Sequence, residues 1–286
     1  MTDPETTQPD LVASPGGGTD AVAAPKPAAK SELRETLGFL LKLAIAVAIL
    51  RSFIFSPFNI PSESMLPRLY IGDYLFISKW NYGYSRYSLP LSAPLIPGQI
   101  FARLPERGDV VVFKAPPANS EDYIKRVIGL PGDTIQMVHG QVILNGVAVK
   151  QDAVPDFTIP VSPNYQCRAE FQDSDAKGRP ICRYRAVRET LPNGKSYITL
   201  DRGQTSADDT DVYTVPAGHV FMMGDNRDDS EDSRFAQEVG GIGYVPVENL
   251  EGRAVIKFWS TDGSAALLLP WTWFTAARWD RIGGGF

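Results

Sequence analysis

Two serines and one lysine are the side chains whose types and spacing could do chemistry. Ser62 and Ser64 lie together in a segment bounded by prolines, and Lys125 follows later in an aliphatic stretch. A serine hydroxyl is a weak nucleophile until a base accepts its proton. A buried lysine can be that base, because desolvation disfavours the charged amine and lowers its pKa. The chain has only two histidines, which weakens any mechanism built on imidazole.

The sequence around Lys125 favours a buried amine. Residues 123–128 form a short run that contains β-branched residues and is bounded by turn residues, which predicts a strand. Because side chains alternate along a strand, Tyr123, Lys125 and Val127 share one face. Taken singly, a lysine at a strand edge is usually solvated and a Ser-x-Ser sequence is usually a turn. These residues indicate catalysis only in combination.

Composition limits the partners and cofactors. The 286 residues carry 28 Lys+Arg against 33 Asp+Glu, a net charge of −5, which argues against a nucleic-acid binder. The two cysteines and two histidines have no zinc-ligand spacing. The acidic run at 225–232 lacks the central glycine of a calcium loop and contains Arg227. We therefore expect no metal, no cofactor and no nucleic-acid partner.

An apolar segment at 37–55 predicts a membrane-spanning helix. A helix of this length would extend about 28 Å, close to the thickness of a bilayer core. Lys42 and Arg51 lie near its ends, where long side chains can reach the interface. Pro57 is expected to end the helix. A buried core helix and a cleavable signal peptide are the alternatives, and the late start of the apolar run fits the latter poorly.

The residues before this helix indicate its orientation. Basic side chains are concentrated on its N-terminal side, so the positive-inside rule places the tail in the cytoplasm and the remaining chain outside. Residues 1–30 are rich in Pro, Gly and Ala and contain no aromatic residue, which predicts a disordered tail.

Strand patterns dominate after the helix. The sequence predicts strands at 109–113, 123–128, 196–200, 219–223 and 253–259. A tight hairpin is expected over 142–149, since Asn145-Gly146 supplies the positive φ pair of a type I′ turn. The stretch between Gln151 and Gly218 is polar and rich in turn residues, which predicts a smaller domain inserted into the main one.

Four segments in this part of the chain resemble bacterial type I signal peptidases. They are Ser62-Glu-Ser-Met-Leu-Pro67, Arg107-Gly-Asp-Val-Val-Val-Phe113, Tyr123-Ile-Lys-Arg126 with Gly129-Leu-Pro-Gly-Asp133, and Gly224-Asp-Asn-Arg-Asp-Asp-Ser-Glu-Asp-Ser-Arg234. The resemblance implies a mainly β catalytic domain with a smaller inserted β region, on one N-terminal transmembrane helix. It also implies a membrane-bound serine endopeptidase that cleaves N-terminal signal peptides from exported preproteins by a Ser-Lys dyad.

The resemblance assigns roles to individual residues. Ser64 would be the nucleophile and Lys125 the general base, with the Ser62 hydroxyl and the Ser64 N–H stabilising the oxyanion. Ser230 matches the serine that orients the lysine amine. Supporting positions are Tyr123, Arg126, Asp225, Asp232 and Arg234, among which Arg126 with Asp225 and Asp232 with Arg234 would form ion pairs. Glu63 and Asp229 depart from the glycine and asparagine of the family pattern.

The resemblance and the patterns together give the expected organisation. It comprises a disordered cytoplasmic tail at 1–34, a transmembrane anchor at 35–56, a catalytic domain at 57–150 and 219–286, and an inserted smaller domain at 151–218. The protein would be single-pass in the bacterial inner (cytoplasmic) membrane, with its catalytic domain on the periplasmic side. Its partners would be preprotein signal peptides with small side chains at the first and third positions before the cut, and membrane lipid.

Two other functions are compatible with parts of this pattern. A self-cleaving Ser-Lys repressor would need a DNA-binding helix-turn-helix where the apolar helix lies. A non-enzymatic, membrane-anchored β module would leave Ser64, Lys125 and Ser230 together unexplained. Incubation with a preprotein distinguishes these functions.

Two further features carry expectations of their own. Cys167 and Cys182 lie in the polar region, and a disulfide is expected if that region is outside the cytoplasm, with two unrelated thiols as the alternative. Four of the five tryptophans lie near the C-terminus, around the apolar run 267–274. This run either touches the bilayer surface or closes the β core.

Overall fold

The computed structural model describes the chain from Ala29 to Phe286. It contains two compact units, one ending at Ala44 and the other running from Ile45 to Phe286. Residues 1–28 of the predicted disordered tail lie outside the described residues. Residues 29–34, assigned to that tail, are instead helical. This segment contains Lys, Glu, Arg and Leu, which have high helix propensity. Most of them are polar, so a search for an apolar segment does not include them.

The N-terminal helix α1 spans Ala29–Phe53. Within it, Glu32–Phe53 is long and apolar enough to cross a membrane, with a mean hydropathy of 1.8. The helix ends before Phe55, which begins a strand instead. Large apolar side chains along the helix, such as Leu37, Leu41 and Ile49, are more than half exposed, which a buried core helix would not allow.

The remaining secondary structure of the described chain is mainly strands. They are β1 Phe55–Asn59, β2 Asp73–Ser78, β3 Tyr84–Ser85, β4 Gln99–Ile100, β5 Val110–Lys114, β6 Asp122–Gly129, β7 Thr134–Val138, β8 Gln141–Leu144, β9 Val147–Ala148, β10 Lys150–Ala153, β11 Phe157–Pro160, β12 Gln172–Ser174, β13 Pro180–Thr190, β14 Ser196–Asp201, β15 Tyr213–Thr214, β16 His219–Met223, β17 Val245–Pro246 and β18 Leu250–Ser260, followed by the helix α2 Pro270–Ala276. The predicted fold class is therefore confirmed.

A seven-stranded antiparallel sheet carries the residues of interest. Its order is β1-β2-β18-β5-β6-β16-β17. The two terminal strands of this sheet each have a single partner, and β6 pairs along its full first half with β5 only. Residues 122–125 of β6 therefore have one edge free of strand pairing, as does β1.

Two smaller sheets complete the main architecture. One is built around β13, which pairs with β10, β11, β12 and β14. The other has the order β15-β7-β8-β9. Its β8–β9 turn has Asn145 at φ 52° and Gly146 at φ 77°, which confirms the expected tight hairpin.

Apolar side chains bury both faces of the central strand β5. Val111 and Phe113 pack on one face, whereas Val110 and Val112 pack on the other. Burial on both faces explains why this strand is an uninterrupted apolar run. Met65 also belongs to the second cluster, so the turn that follows Ser64 is anchored in the core.

Candidate active site

Ser64 and Lys125 meet at the edge of the seven-stranded sheet. The Lys125 Nζ donates a hydrogen bond to the Ser64 Oγ at 2.7 Å. Both residues are buried, with exposures of 4% for Lys125 and 6% for Ser64. The turn after β1 supplies the serine and β6 supplies the lysine, so the fold brings into contact two residues that are 61 positions apart in sequence. An amine at this distance can accept the hydroxyl proton once it is neutral.

Burial makes the neutral amine accessible near physiological pH. Desolvation lowers the pKa of Lys125 to about 8, and nearby carboxylates, Asp232 foremost, oppose this shift. The Tyr123 ring centroid lies 5.2 Å from Nζ, as expected from their shared strand face. An apolar wall on one side and compensating carboxylates on the other thus set the protonation equilibrium of the amine.

Two hydrogen-bond donors lie beside the Ser64 hydroxyl. The Ser62 Oγ is 3.5 Å from the Ser64 Oγ, near the limit for a hydrogen bond. Within the described chain, the Ser64 backbone N–H has no hydrogen-bond acceptor. A free N–H and a neighbouring hydroxyl are the donors that an oxyanion requires.

Ser230 approaches the same turn from a second loop. Its Oγ is buried and has no hydrogen-bond partner within the described residues. A β-carbon placed on Gly224 would overlap both the Ser230 Oγ and the Ser64 carbonyl oxygen. Glycine at position 224 therefore lets the two serine loops approach each other closely.

A bidentate ion pair lies behind Lys125. The Arg126 Nε and Nη2 donate to the two carboxylate oxygens of Asp225 at 2.7 and 2.6 Å. Arg126 Nη1 also donates to the Gly108 carbonyl at 2.7 Å. The pair joins β6 to the loop that starts at Gly224 and so fixes the distance between them.

A second ion pair closes this loop on itself. Arg234 binds Asp232 through Nε and Nη2, both at 2.9 Å, and both side chains are fully buried. Burial alone would raise the pKa of Asp232, but Arg234 and the Gly224 N–H bonded to its carboxylate lower it. Asp232 therefore stays ionised and stabilises the protonated form of Lys125.

Two residues with no role in the sequence-based expectations contact the turn that carries Ser64. The Asn226 N–H donates to the Ser64 carbonyl at 3.0 Å, and its side-chain amide donates to the Glu63 carbonyl at 3.1 Å. Arg202 binds the Glu63 carboxylate. Asn226 stood inside a quoted motif, but Arg202 lies in a turn-rich stretch that carries no recognisable pattern.

The two cysteines form a disulfide, which confirms the expected bridge. The Cα atoms of Cys167 and Cys182 are 6.0 Å apart, and 15 positions separate the residues. The bridge lies in the cluster that includes Leu66, so it stabilises packing close to the turn that carries Ser64.

The C-terminal apolar run is exposed. Leu268, Trp271 and Phe274 have exposures of 88%, 65% and 65%. The alternative in which this run closes the β core is therefore wrong. Among the described residues, no group of three or more His, Cys, Asp or Glu side chains could hold a metal ion.

Comparison with known proteins shows which family the chain belongs to. Residues 33–259 match the family described as signal peptidase, peptidase S26. The signal peptidase I of Rickettsia typhi is 36% identical over 271 residues, covering 88% of this chain and 93% of the relative. That of Rickettsia conorii is 35% identical over 271 residues, covering 88% and 92%. A crystal structure of a signal peptidase I from Enterococcus faecalis V583 is 27% identical, covers 53% of this chain and 97% of that chain, and has a TM-score of 0.27.

The family match and the curated relatives span most of the chain, including every position of the two serine loops and β6. They exclude a repressor and a non-enzymatic β module. The chain belongs to the signal peptidase family, peptidase S26, and is a serine endopeptidase of the signal peptidase I type.

Proposed function

We propose that this chain cleaves N-terminal signal peptides from exported preproteins through a Ser64–Lys125 dyad. The observation that carries the proposal is the 2.7 Å hydrogen bond from the Lys125 amine to the Ser64 hydroxyl, in a buried setting. The names of the relatives supply the substrate class. The remaining contacts of the site support the individual steps.

The dyad performs both halves of the reaction. Neutral Lys125 accepts the Ser64 proton as the oxygen attacks the scissile carbonyl, and the negative charge moves to the carbonyl oxygen. Collapse of this intermediate breaks the C–N bond, Lys125 returns the proton to the leaving amine, and the signal peptide stays on Ser64 as an ester. Lys125 then removes a proton from water as the water oxygen attacks the ester carbonyl. Collapse of this second intermediate breaks the bond to the Ser64 oxygen, Lys125 returns the proton to that oxygen, and the signal peptide leaves with a free carboxyl group.

The neighbouring groups serve the dyad. The free Ser64 N–H and the Ser62 hydroxyl stabilise the oxyanion as it forms. Ser230 orients the lysine amine, with an unpartnered hydroxyl available for that contact. The ion pairs formed by Arg126 and by Arg234 hold the loops in place and take no part in proton transfer.

Unpaired strand edges support a binding mode for the substrate. The free edges of β1 and of residues 122–125 lead to Ser64 and Lys125, so an extended signal-peptide end can be bound as an added strand. Alternate side chains of such a strand point to the same face, so the first and third side chains before the cut would contact the same surface of the enzyme.

Membrane attachment is the second part of the proposal. The helix Glu32–Phe53 would be the anchor, and the basic residues towards its N-terminal side support a catalytic domain on the periplasmic side of the inner membrane. The exposed Trp271, Trp273 and Phe274 bind the lipid surface. Residues 151–218 form a smaller domain inserted between the two parts of the catalytic domain, a division supported by the separate sheet around β13.

Cleavage of a preprotein tests the proposed reaction. The full chain in detergent should cut a preprotein once, at the end of its signal peptide, as mapped by mass spectrometry of both products. Ser64→Ala should abolish the cut. Cleavage at scattered sites, or equal cleavage by Ser64→Ala, contradicts the proposal.

A lipid-quenching experiment tests the proposed membrane surface. In bilayers that contain brominated lipid, replacing Trp271 and Trp273 by Phe should lower the quenched fraction of tryptophan fluorescence. Unchanged quenching contradicts a role for these residues at the lipid surface.

A further inference from the structure

One arginine joins the two loops that carry the serines of the site. The Arg202 Nη2 donates to the Glu63 Oε2 at 3.0 Å, and its Nη1 lies 3.2 Å from the Asp229 Oδ1. Glu63 lies between Ser62 and Ser64, and Asp229 directly precedes Ser230. A single guanidinium therefore bridges two carboxylates, each adjacent in sequence to a serine of the site.

The arginine is itself held in a fixed position. Its side chain is only 9% exposed, and its guanidinium lies 5.1 Å from the Tyr184 ring centroid and 5.5 Å from that of Phe171. Its backbone N–H donates to Asp228 at 2.6 Å. Because Arg202 directly follows β14, the sheet around β13 is the support from which it holds both loops.

Charge explains why the bridge needs an arginine. The pKa of Glu63 is raised to about 7, because burial and the neighbouring Asp229 carboxylate both raise it more than Arg202 lowers it. Without the guanidinium, two part-buried carboxylates would face each other with no compensating cation. A planar guanidinium can hold one carboxylate on each terminal nitrogen, whereas an ammonium group lacks this fixed geometry.

We propose that Arg202 is a positioning residue, which holds the Ser62–Ser64 turn and Ser230 in register for proton transfer to Lys125. The proposal rests on the dyad described under Proposed function. Arg202 does not touch the reacting atoms, and it acts through Glu63 and Asp229. Loss of the bridge therefore lowers kcat and leaves substrate binding along the strand edges largely intact.

Arg202→Gln in the full chain is the primary test. Misplacement of catalytic groups by about 1 Å can cost about 100-fold in rate, so we expect kcat to fall by about 10- to 100-fold. KM should change by no more than about twofold, because Arg202 does not take part in substrate binding along the strand edges. Effects of mutations at independent sites usually add to within this range. The matched control is Arg185→Gln, which removes an arginine–carboxylate pair from the same sheet, with Asp201, and should leave kcat unchanged.

Rescue distinguishes positioning from a purely structural role. In the Arg202→Gln background, Glu63→Gln with Asp229→Asn removes both charges, so the repulsion between the two loops disappears and kcat should rise above that of Arg202→Gln, while it stays below wild type because the bridge is absent. A structural role, through the stacking on Tyr184 and Phe171, would give no recovery. Wild-type kcat in Arg202→Gln, or no recovery in the triple variant, overturns the proposal.

A second variant covers the case in which Arg202→Gln does not fold. Arg202→Lys keeps the cation but holds a single carboxylate, so kcat should fall, and adding Asp229→Asn should restore it. Equal kcat in Arg202→Lys and wild type overturns the proposal. Failure of the dyad itself has a different signature, namely cleavage by Ser64→Ala.

Discussion

The pH dependence of cleavage follows directly from the environment of Lys125. With a pKa of about 8, about one tenth of the amine is neutral at pH 7. An ordinary lysine, with a pKa of about 10.4, would be neutral in fewer than about one molecule in a thousand. Burial therefore raises the concentration of active base at pH 7 by more than about 100-fold. We expect kcat/KM to rise about tenfold per pH unit below pH 8 and to level off above it.

Glu231→Gln is a mild perturbation of this equilibrium. Glu231 is exposed, and its charge raises the pKa of Lys125. Removing the charge stabilises the neutral amine, so the profile should shift to lower pH and the variant should exceed wild-type activity at pH 7. High salt should reduce the difference, because ions screen an exposed charge.

The assay measures kcat/KM for a signal-peptide substrate between pH 6 and 10, with Glu170→Gln as the control. Glu170 is equally exposed and lies outside the set of charges that act on Lys125. An inflection at the pKa of an ordinary lysine would refute the argument from burial. Identical profiles for Glu231→Gln and Glu170→Gln would refute the role of the surrounding charges in setting the pKa of Lys125.

Three other variants test separate parts of the structure. Gly224→Ala should keep the fold but lower kcat/KM for the peptide substrate by about 100-fold, because its β-carbon would push apart Ser230 and the Ser64 turn. Wild-type kcat/KM in this variant would contradict the close approach of the two loops. Lys125→Met should be inactive yet more stable at pH 7 by ~3 kcal/mol in urea unfolding, because the wild-type amine has its lower pKa only in the folded state. This gain should be full below about pH 8 and vanish towards pH 10.5, where both states of the wild-type amine are neutral; a gain that does not depend on pH contradicts this assignment. Cys167→Ala with Cys182→Ala should lower the free energy of unfolding by ~3 kcal/mol, given the separation of 15 positions, while kcat/KM is unchanged; loss of activity at full stability would contradict a structural role.

Local patterns in the sequence predicted β5, β6, β8, β9, β14, β16 and β18, but missed others, among them β1, β2, β7 and the long β13. The strand β16 has the predicted bounds, and the Asn145-Gly146 turn forms as expected. Both are determined by neighbouring residues, through β-branched content or positive φ. The two-residue strands β3 and β4 were not predicted, because a pair of residues carries no periodicity.

Long-range contacts were less accessible from sequence. The resemblance brought Ser64 and Lys125 together, and alternation placed Tyr123 beside the amine. Arg202 was not predicted, because its two carboxylate partners come from loops that only the tertiary structure brings together. The start of α1 at Ala29 was missed because hydropathy marks the apolar part of a helix and not its polar first turns.

Trapping the covalent intermediate tests the central claim most directly. A signal-peptide substrate is mixed with the full chain, the reaction is quenched in acid within one turnover, and the protein is digested and mapped by mass spectrometry. The Ser64–Lys125 dyad predicts that the acyl group of the signal peptide is attached to Ser64, and that Lys125→Arg forms no adduct because guanidinium stays protonated. An adduct on another residue, or normal acylation of Ser64 in Lys125→Arg, would contradict the dyad.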